Sequence, residues 1–263
     1  MQLAKDDVVE ETFKKITALE IEGKLFCESS TIHPDVTKET EKAVLAKKAE
    51  FVAGTTSSCR FSLFIGPVFG APAAAIAAQL IFVLTGQPSS VDKIRPFTKG
   101  VLGKGTIELG SDVTKATLLK ITGNAMILGM VEILAEALVF SEKSGLGTDK
   151  LDDFIQMMFP HSPFAAYSKR MISGEYAPQP PKRPGFQIDL ARKDCKHAID
   201  LANACGARLE VVEVMDKHLK KAKEIGGDNM DISYVSILGL LMTRTTYGTL
   251  RKEAGLKFSD EID

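Results

Sequence analysis

Three short stretches of this 263-residue sequence hold side chains that could do chemistry together: ESSTIHP at 28–34, LLKITGN at 118–124 and FQIDLARKD at 186–194. In the second, Lys120 and Asn124 stand four residues apart inside an apolar run, ATLLKITGNAMILGMVEIL, 116–134. On a helix, at about 100° per residue, Asn124 lies about 40° from Lys120. Val113, Ala116, Thr117, Ile127, Val131 and Leu138 fall near the same stripe, while Glu132 and Glu136 lie more than about 100° round. The lysine therefore points with the buried face, away from those carboxylates. Taking an ammonium out of water costs several kcal/mol unless something compensates. Either this lysine snorkels from the end of the stripe, or it moves a proton.

The first stretch ends a short strand in Ser30-Thr31, and the carboxyl edge of an open α/β sheet is where ligand-binding groups are presented. The other reading is helix capping, with Ser/Thr and Asp ahead of a helix over 36–48. Lys193-Asp194, taken alone, reads as a solvated pair on a helix.

The elements that must position these residues alternate in the first third of the chain. Residues 6–19 form an amphipathic pattern, KLFCESS (24–30) a short strand, and HPDVTKETEKAVLAKK a helix with Pro34 in its first turn. EFVA (50–53) and QLIFVLTG (79–86) read as strands, SSVDKIRPFTK as a helix after the second, and TIEL (106–109) as a last strand. Such alternation argues for a parallel α/β sheet. After Ser111 the pattern turns helical: one long helix over 112–144, stopped by Ser144-Gly145 and Gly147, then helices near 149–158, 164–173, 186–205 and 208–225. APQPPKRPG, 177–185, is a loop. The fold class expected is an incomplete Rossmann-type α/β domain over 1–110, followed by an all-α C-terminal domain over 111–263.

Composition removes several function classes. With 44% hydrophobic and 25% charged residues the chain can bury an ordinary core, and a net charge of −1 gives no global reason to bind nucleic acid or an anionic membrane. Phe61–Val91 carries no charged residue and is long enough to span a bilayer, but Gly66, Pro67, Gly70, Pro72, Gln79 and Gly86 break it, so a buried sheet region with loops is expected rather than a membrane span. The four cysteines have no CxxC spacing and the four histidines no HxxxH or HExxH, so neither a disulfide framework nor a metal site is expected. Nothing at the start resembles a signal peptide, which points to a reducing, cytoplasmic setting; a mitochondrial one would need a transit peptide ahead of Met1.

Together and in this order the motifs resemble the β-hydroxyacid dehydrogenase family, typified by 3-hydroxyisobutyrate dehydrogenase. ESSTIHP is similar to the family's D-x-S-T-x-x-P, with Glu28 for the aspartate. GPVFGAP (66–72) is similar to its glycine-rich substrate loop, KITGN to its K-x-x-N-N motif with Gly123 for the first asparagine, and FQIDLARKDCKHAIDLA to its Lys-Asp helix. The resemblance implies an oxidoreductase that moves a hydride between NAD or NADP and a small hydroxy acid or related carbonyl compound. It implies Lys120 as general acid/base with Asn124 holding the geometry. Ser30, Thr31 and Lys193 would bind the cofactor, and Phe69, Gly70 and Ala71 the substrate. It also implies a homodimer or higher homo-oligomer.

Departures qualify this picture. Phe69-Gly70-Ala71 replaces the family's Ser-Gly-Gly, losing a hydroxyl that grips a carboxylate and gaining an apolar ring, so a bulkier or less acidic substrate is expected. Thr114 and Ala116 stand ahead of Lys120 where the family's G-x-G-x-x-x-K has glycines. No G-x-G-x-x-G turn is present, so the first half of the dinucleotide-binding domain is expected to be missing and the choice between NAD and NADP stays open. Residues 54–65 and 234–246 read as insertions, either lineage-specific loops or translated introns. The competing reading of the whole chain is a non-catalytic binding or dimerisation protein, or a truncated gene product, that has lost nucleotide binding.

Overall fold

A computed structural model describes residues 3, 5–53, 68–69, 76–179, 182–227 and 229–237. The expected insertion at 54–65 lies outside these residues, as does all of 234–246 beyond residue 237. In chain order the elements are α1 (Asp6–Thr17), β1 (Leu25–Glu28), α2 (Pro34–Leu45), β2 (Glu50–Ala53), β3 (Val68–Phe69), β4 (Leu80–Gly86), α3 (Pro88–Thr98), β5 (Gly103–Glu108), α4 (Thr114–Lys143), α5 (Thr148–Met158), α6 (Pro163–Ser173), α7 (Ile188–Ala204), α8 (Glu210–Gly226) and a 3-10 turn, Ile232–Tyr234.

The chain divides into two compact units, Met1–Ala125 with Lys196–Ala207, and Met126–Cys195 with Arg208–Asp263. In the first, five strands form one sheet in the order β1-β2-β4-β3, with β5 also on β4. β1 pairs β2 in parallel, Phe26 opposite Phe51, and β4 pairs β5 in parallel, Phe82 opposite Thr106. β4 runs antiparallel to β2 at Val52↔Gly86 and to β3 at Val68↔Phe82, so the sheet is mixed where alternation alone suggested parallel strands throughout. Parallel pairing needs a crossover connection, as α2 supplies between β1 and β2 and α3 between β4 and β5.

Alternating side chains divide the packing of this sheet between its faces. Phe51, Ala53 and Val83 pack with Val9 and Phe13 of α1, Val44 of α2, Ile32, and Val113-Ala116 at the head of α4. Val52 and Leu84 pack on the opposite side with Val91 and Ile94 of α3. Local signals set the helix starts. Pro34 opens α2, where the His33 ring accepts the Asp35 N–H at 3.3 Å, and Pro88 opens α3.

The second unit is helical. Asp231 is its polar hub: 1% exposed, it accepts the Phe186 N–H at 2.9 Å, the Ser233 N–H at 3.1 Å and hydroxyl at 2.6 Å, and both carboxylate oxygens face Arg170 at 3.3 Å. It thereby fixes the start of α7 to the 3-10 turn. α4, thirty residues long, is the one helix among the described residues long and apolar enough to cross a membrane by length and composition. Its exposed side carries Met126, Ile133 and Phe140, seven residues apart; Lys120 and Asn124 are buried, and so is Glu132 about 120° round from Lys120, so burial extends past the expected stripe.

Candidate active site

β1 delivers Glu28 and then Ser29-Ser30-Thr31 to the carboxyl end of the strand. Ser29 and Ser30 are fully buried and Thr31 is half-buried. The next residue, Ile32, enters the core, and His33 caps α2, so the turn between strand and helix is held at both ends. The Ser30 hydroxyl accepts the Leu3 N–H at 2.7 Å and the Ser30 N–H donates to Glu28 Oε1 at 2.8 Å. Glu28 is itself 1% exposed. Burial pushes its carboxyl up to about 7, against the pull of the Ser30 hydroxyl and N–H.

α4 brings the lysine to the same unit. Its first turns are tied to α2 by a buried bond between the Thr37 and Thr117 hydroxyls, 3.0 Å, and to the sheet by Thr85, whose hydroxyl reaches the carbonyls of Ala53 and Val113 at 3.4 Å. One turn past Thr117, Lys120 is 4% exposed, and one further turn on, Asn124 is 8% exposed. Val113, Ala116, Thr117, Val131 and Leu138 are buried as the stripe requires, and Ile127 is half-buried. A lysine this buried is not snorkelling to solvent.

The remaining expected site residues fall elsewhere. Lys193 lies on α7 in the second unit, half-buried, its Nζ 3.1 Å from Asp194 Oδ1; Asp194 is buried, so the pair is not the solvated one its sequence alone suggests. Val68-Phe69 forms β3. The Phe69 side chain, Gly70 and Ala71 lie outside the described residues.

Two polar clusters escape a reading of the sequence. In the first unit, Asp6 Oδ2 accepts the His33 N–H at 3.2 Å and lies 3.2 Å from His197 Nε2, with the two imidazoles edge to face, centroids 5.8 Å apart. In the second, the buried Glu132 carboxylate meets His218 Nδ1 at 2.6 Å. Burial raises the Glu132 pKa, and the His218 charge and hydrogen bond oppose the rise. Partners 164 and 86 positions apart leave no local signal; the one hint is that Glu132 breaks an apolar helix. Among the described residues no group of three or more His, Cys, Asp or Glu side chains could hold a metal ion.

The donor set fits the nicotinamide end of a dinucleotide and a small oxygen-bearing substrate: hydroxyls at a strand end, and an amine with an amide one turn apart on a buried helix face. Comparison with known proteins points the same way. A family model described as the NAD-binding domain of NADP-dependent 3-hydroxyisobutyrate dehydrogenase matches residues 114–238. An NADH-dependent oxidoreductase of Aspergillus ustus is 32% identical over 257 residues, 98% of this chain and 78% of the relative. Glyoxylate/succinic semialdehyde reductase 1 of Arabidopsis thaliana is 26% identical over 81% of this chain and 68% of its own length. The crystal structure of a 3-hydroxyisobutyrate dehydrogenase from Salmonella typhimurium shares the fold, with a TM-score of 0.75 at 18% identity over 90% of this chain and 77% of that one.

Proposed function

This chain belongs to the β-hydroxyacid dehydrogenases typified by 3-hydroxyisobutyrate dehydrogenase, a family of NAD(P)-dependent oxidoreductases, and we propose that it moves a hydride between NAD or NADP and a small 3-hydroxy acid or related carbonyl compound. The observation that carries the proposal is the buried pair Lys120 and Asn124 on α4, in the same compact unit as the Ser30-Thr31 strand end. The nicotinamide, when bound, supplies or accepts the hydride at the substrate carbon. Lys120 gives a proton to the substrate oxygen during reduction and takes one during oxidation. Asn124, one turn along, is placed to orient the lysine or the substrate by hydrogen bonding. Thr31, with Ser30, serves the nicotinamide ribose, and Lys193 is the cofactor residue added by family resemblance. Phe69, Gly70 and Ala71 serve the substrate, the apolar ring favouring a bulkier or less acidic compound. The Arabidopsis relative, by name a reductase of small aldehyde acids, supports the carbonyl side of this reading.

The chain forms a homodimer in this proposal. Met126, Ile133 and Phe140 on α4 are 73%, 53% and 74% exposed, a stripe that needs an apolar cover. Glu136 lies within about 60° of Ile133 on the same side and is exposed, which favours a protein partner over lipid.

NADH and NADPH binding, followed by cofactor fluorescence, and cofactor oxidation with glyoxylate or succinic semialdehyde test the reading. Binding with turnover is expected. Absence of binding at millimolar cofactor would favour a non-catalytic protein.

A further inference from the structure

Glu28 is an expensive residue for its position. Its carboxylate is buried at the end of β1, opposite Ala53, where a neutral side chain would sit at no electrostatic cost. Yet the strand-end motif converges on it: the Ser30 N–H reaches it at 2.8 Å, and the Ser29 N–H and Ser30 hydroxyl also act on it, while that hydroxyl accepts the Leu3 N–H at 2.7 Å. Ser30 is thus engaged through both its backbone and its side chain, and Thr31 follows it directly.

We infer that Glu28 is a positioning residue for the cofactor site, its ionised carboxylate gathering the Ser29 and Ser30 donors and so fixing the backbone that presents Thr31. This rests on the dinucleotide reading above. Once protonated, the carboxyl must itself donate, and the hydroxyl chain through Ser30 to Leu3 reverses at one link; the turn then holds Thr31 less firmly. Ordinary carboxyls would be ionised throughout the neutral range, but burial brings this change to about pH 7.

The test is NADH affinity against pH for the parent chain, Glu28→Gln and Glu28→Asp, with thermal melting of each alongside. The chain has no tryptophan to complicate the cofactor emission. The parent Kd is expected to be about fivefold weaker at pH 6 than at pH 8.5, the scale of one lost hydrogen bond. Glu28→Gln, which imitates the protonated acid, keeps the weaker Kd at both pH values while melting higher than the parent at pH 8.5. Glu28→Asp, still ionisable, retains a pH-dependent Kd. A merely structural role would move affinity and melting in the same direction. A parent whose Kd is independent of pH, or a Glu28→Gln variant that titrates like the parent, overturns the inference alone. A parent that binds neither NADH nor NADPH at any pH overturns the dinucleotide reading and this inference with it.

Discussion

Replacing Glu28 by glutamine should make the protein more stable, and by an amount that depends on pH. Burial lifts the carboxyl from 4.5 to about 7. Between those values the folded chain holds a proton that the unfolded chain has released, so stability falls as pH rises through the window. About 2.5 pH units at about 1.4 kcal/mol each amounts to about 3–4 kcal/mol, absent below about pH 4.5 and fully present above about pH 7. Glutamine keeps a carbonyl for the Ser30 N–H and carries no charge to bury. Urea unfolding followed by far-ultraviolet circular dichroism at pH 5, 6, 7 and 8 is the assay. Near pH 5 the two proteins should differ by less than about 1 kcal/mol, and by pH 8 the variant should lead by about 3–4 kcal/mol. Parallel stability curves across that range would refute the burial argument.

Other perturbations follow from the same geometry. Thr117→Val leaves the buried Thr37 hydroxyl without its partner at 3.0 Å and should cost about 1–3 kcal/mol, whereas the double variant Thr37→Val/Thr117→Val should recover most of it in a urea-unfolding cycle. Asp231→Ala strips the Phe186 and Ser233 donors and Arg170 of their shared acceptor, and should cost about 3 kcal/mol by the same measurement. His218→Ala removes the group that opposes the rise in Glu132, so Glu132 moves further up. The variant's melting temperature should then go on falling with rising pH to a higher pH than the parent's does. Ile133→Glu on the exposed stripe should turn the proposed dimer into a monomer by light scattering, with the fold intact by circular dichroism.

How much of this was legible in the sequence depends on distance along the chain. The face of α4 was readable because a helix repeats every 3.6 residues, and Lys120, Asn124, Val131 and Leu138 are buried as that period dictates. α1, α2 and α5–α8 fall within a few residues of their expected spans, because Pro34, Pro163 and Gly174 punctuate them locally. Strand direction was not readable. β4 lies antiparallel to β2, and nothing within residues 50–53 or 80–86 encodes that direction. Side-chain partners at long range were equally hidden. Nothing near Glu132 announces His218, and nothing near Asp6 announces His33 and His197. Glu28 stood out only as a glutamate in an aspartate position; that its carboxyl is buried against its own strand end needed coordinates.

The central claim is that Lys120 transfers the proton, and Lys120→Ala tests it most directly when turnover and cofactor affinity are measured on the same preparation. The predicted result is a loss of about 10²–10⁴-fold in NADH- or NADPH-dependent reduction of a short aldehyde acid, the range for removing a general acid/base, with the cofactor Kd within about twofold of the parent. Turnover retained within about tenfold of the parent, at unchanged cofactor affinity, would contradict the assignment.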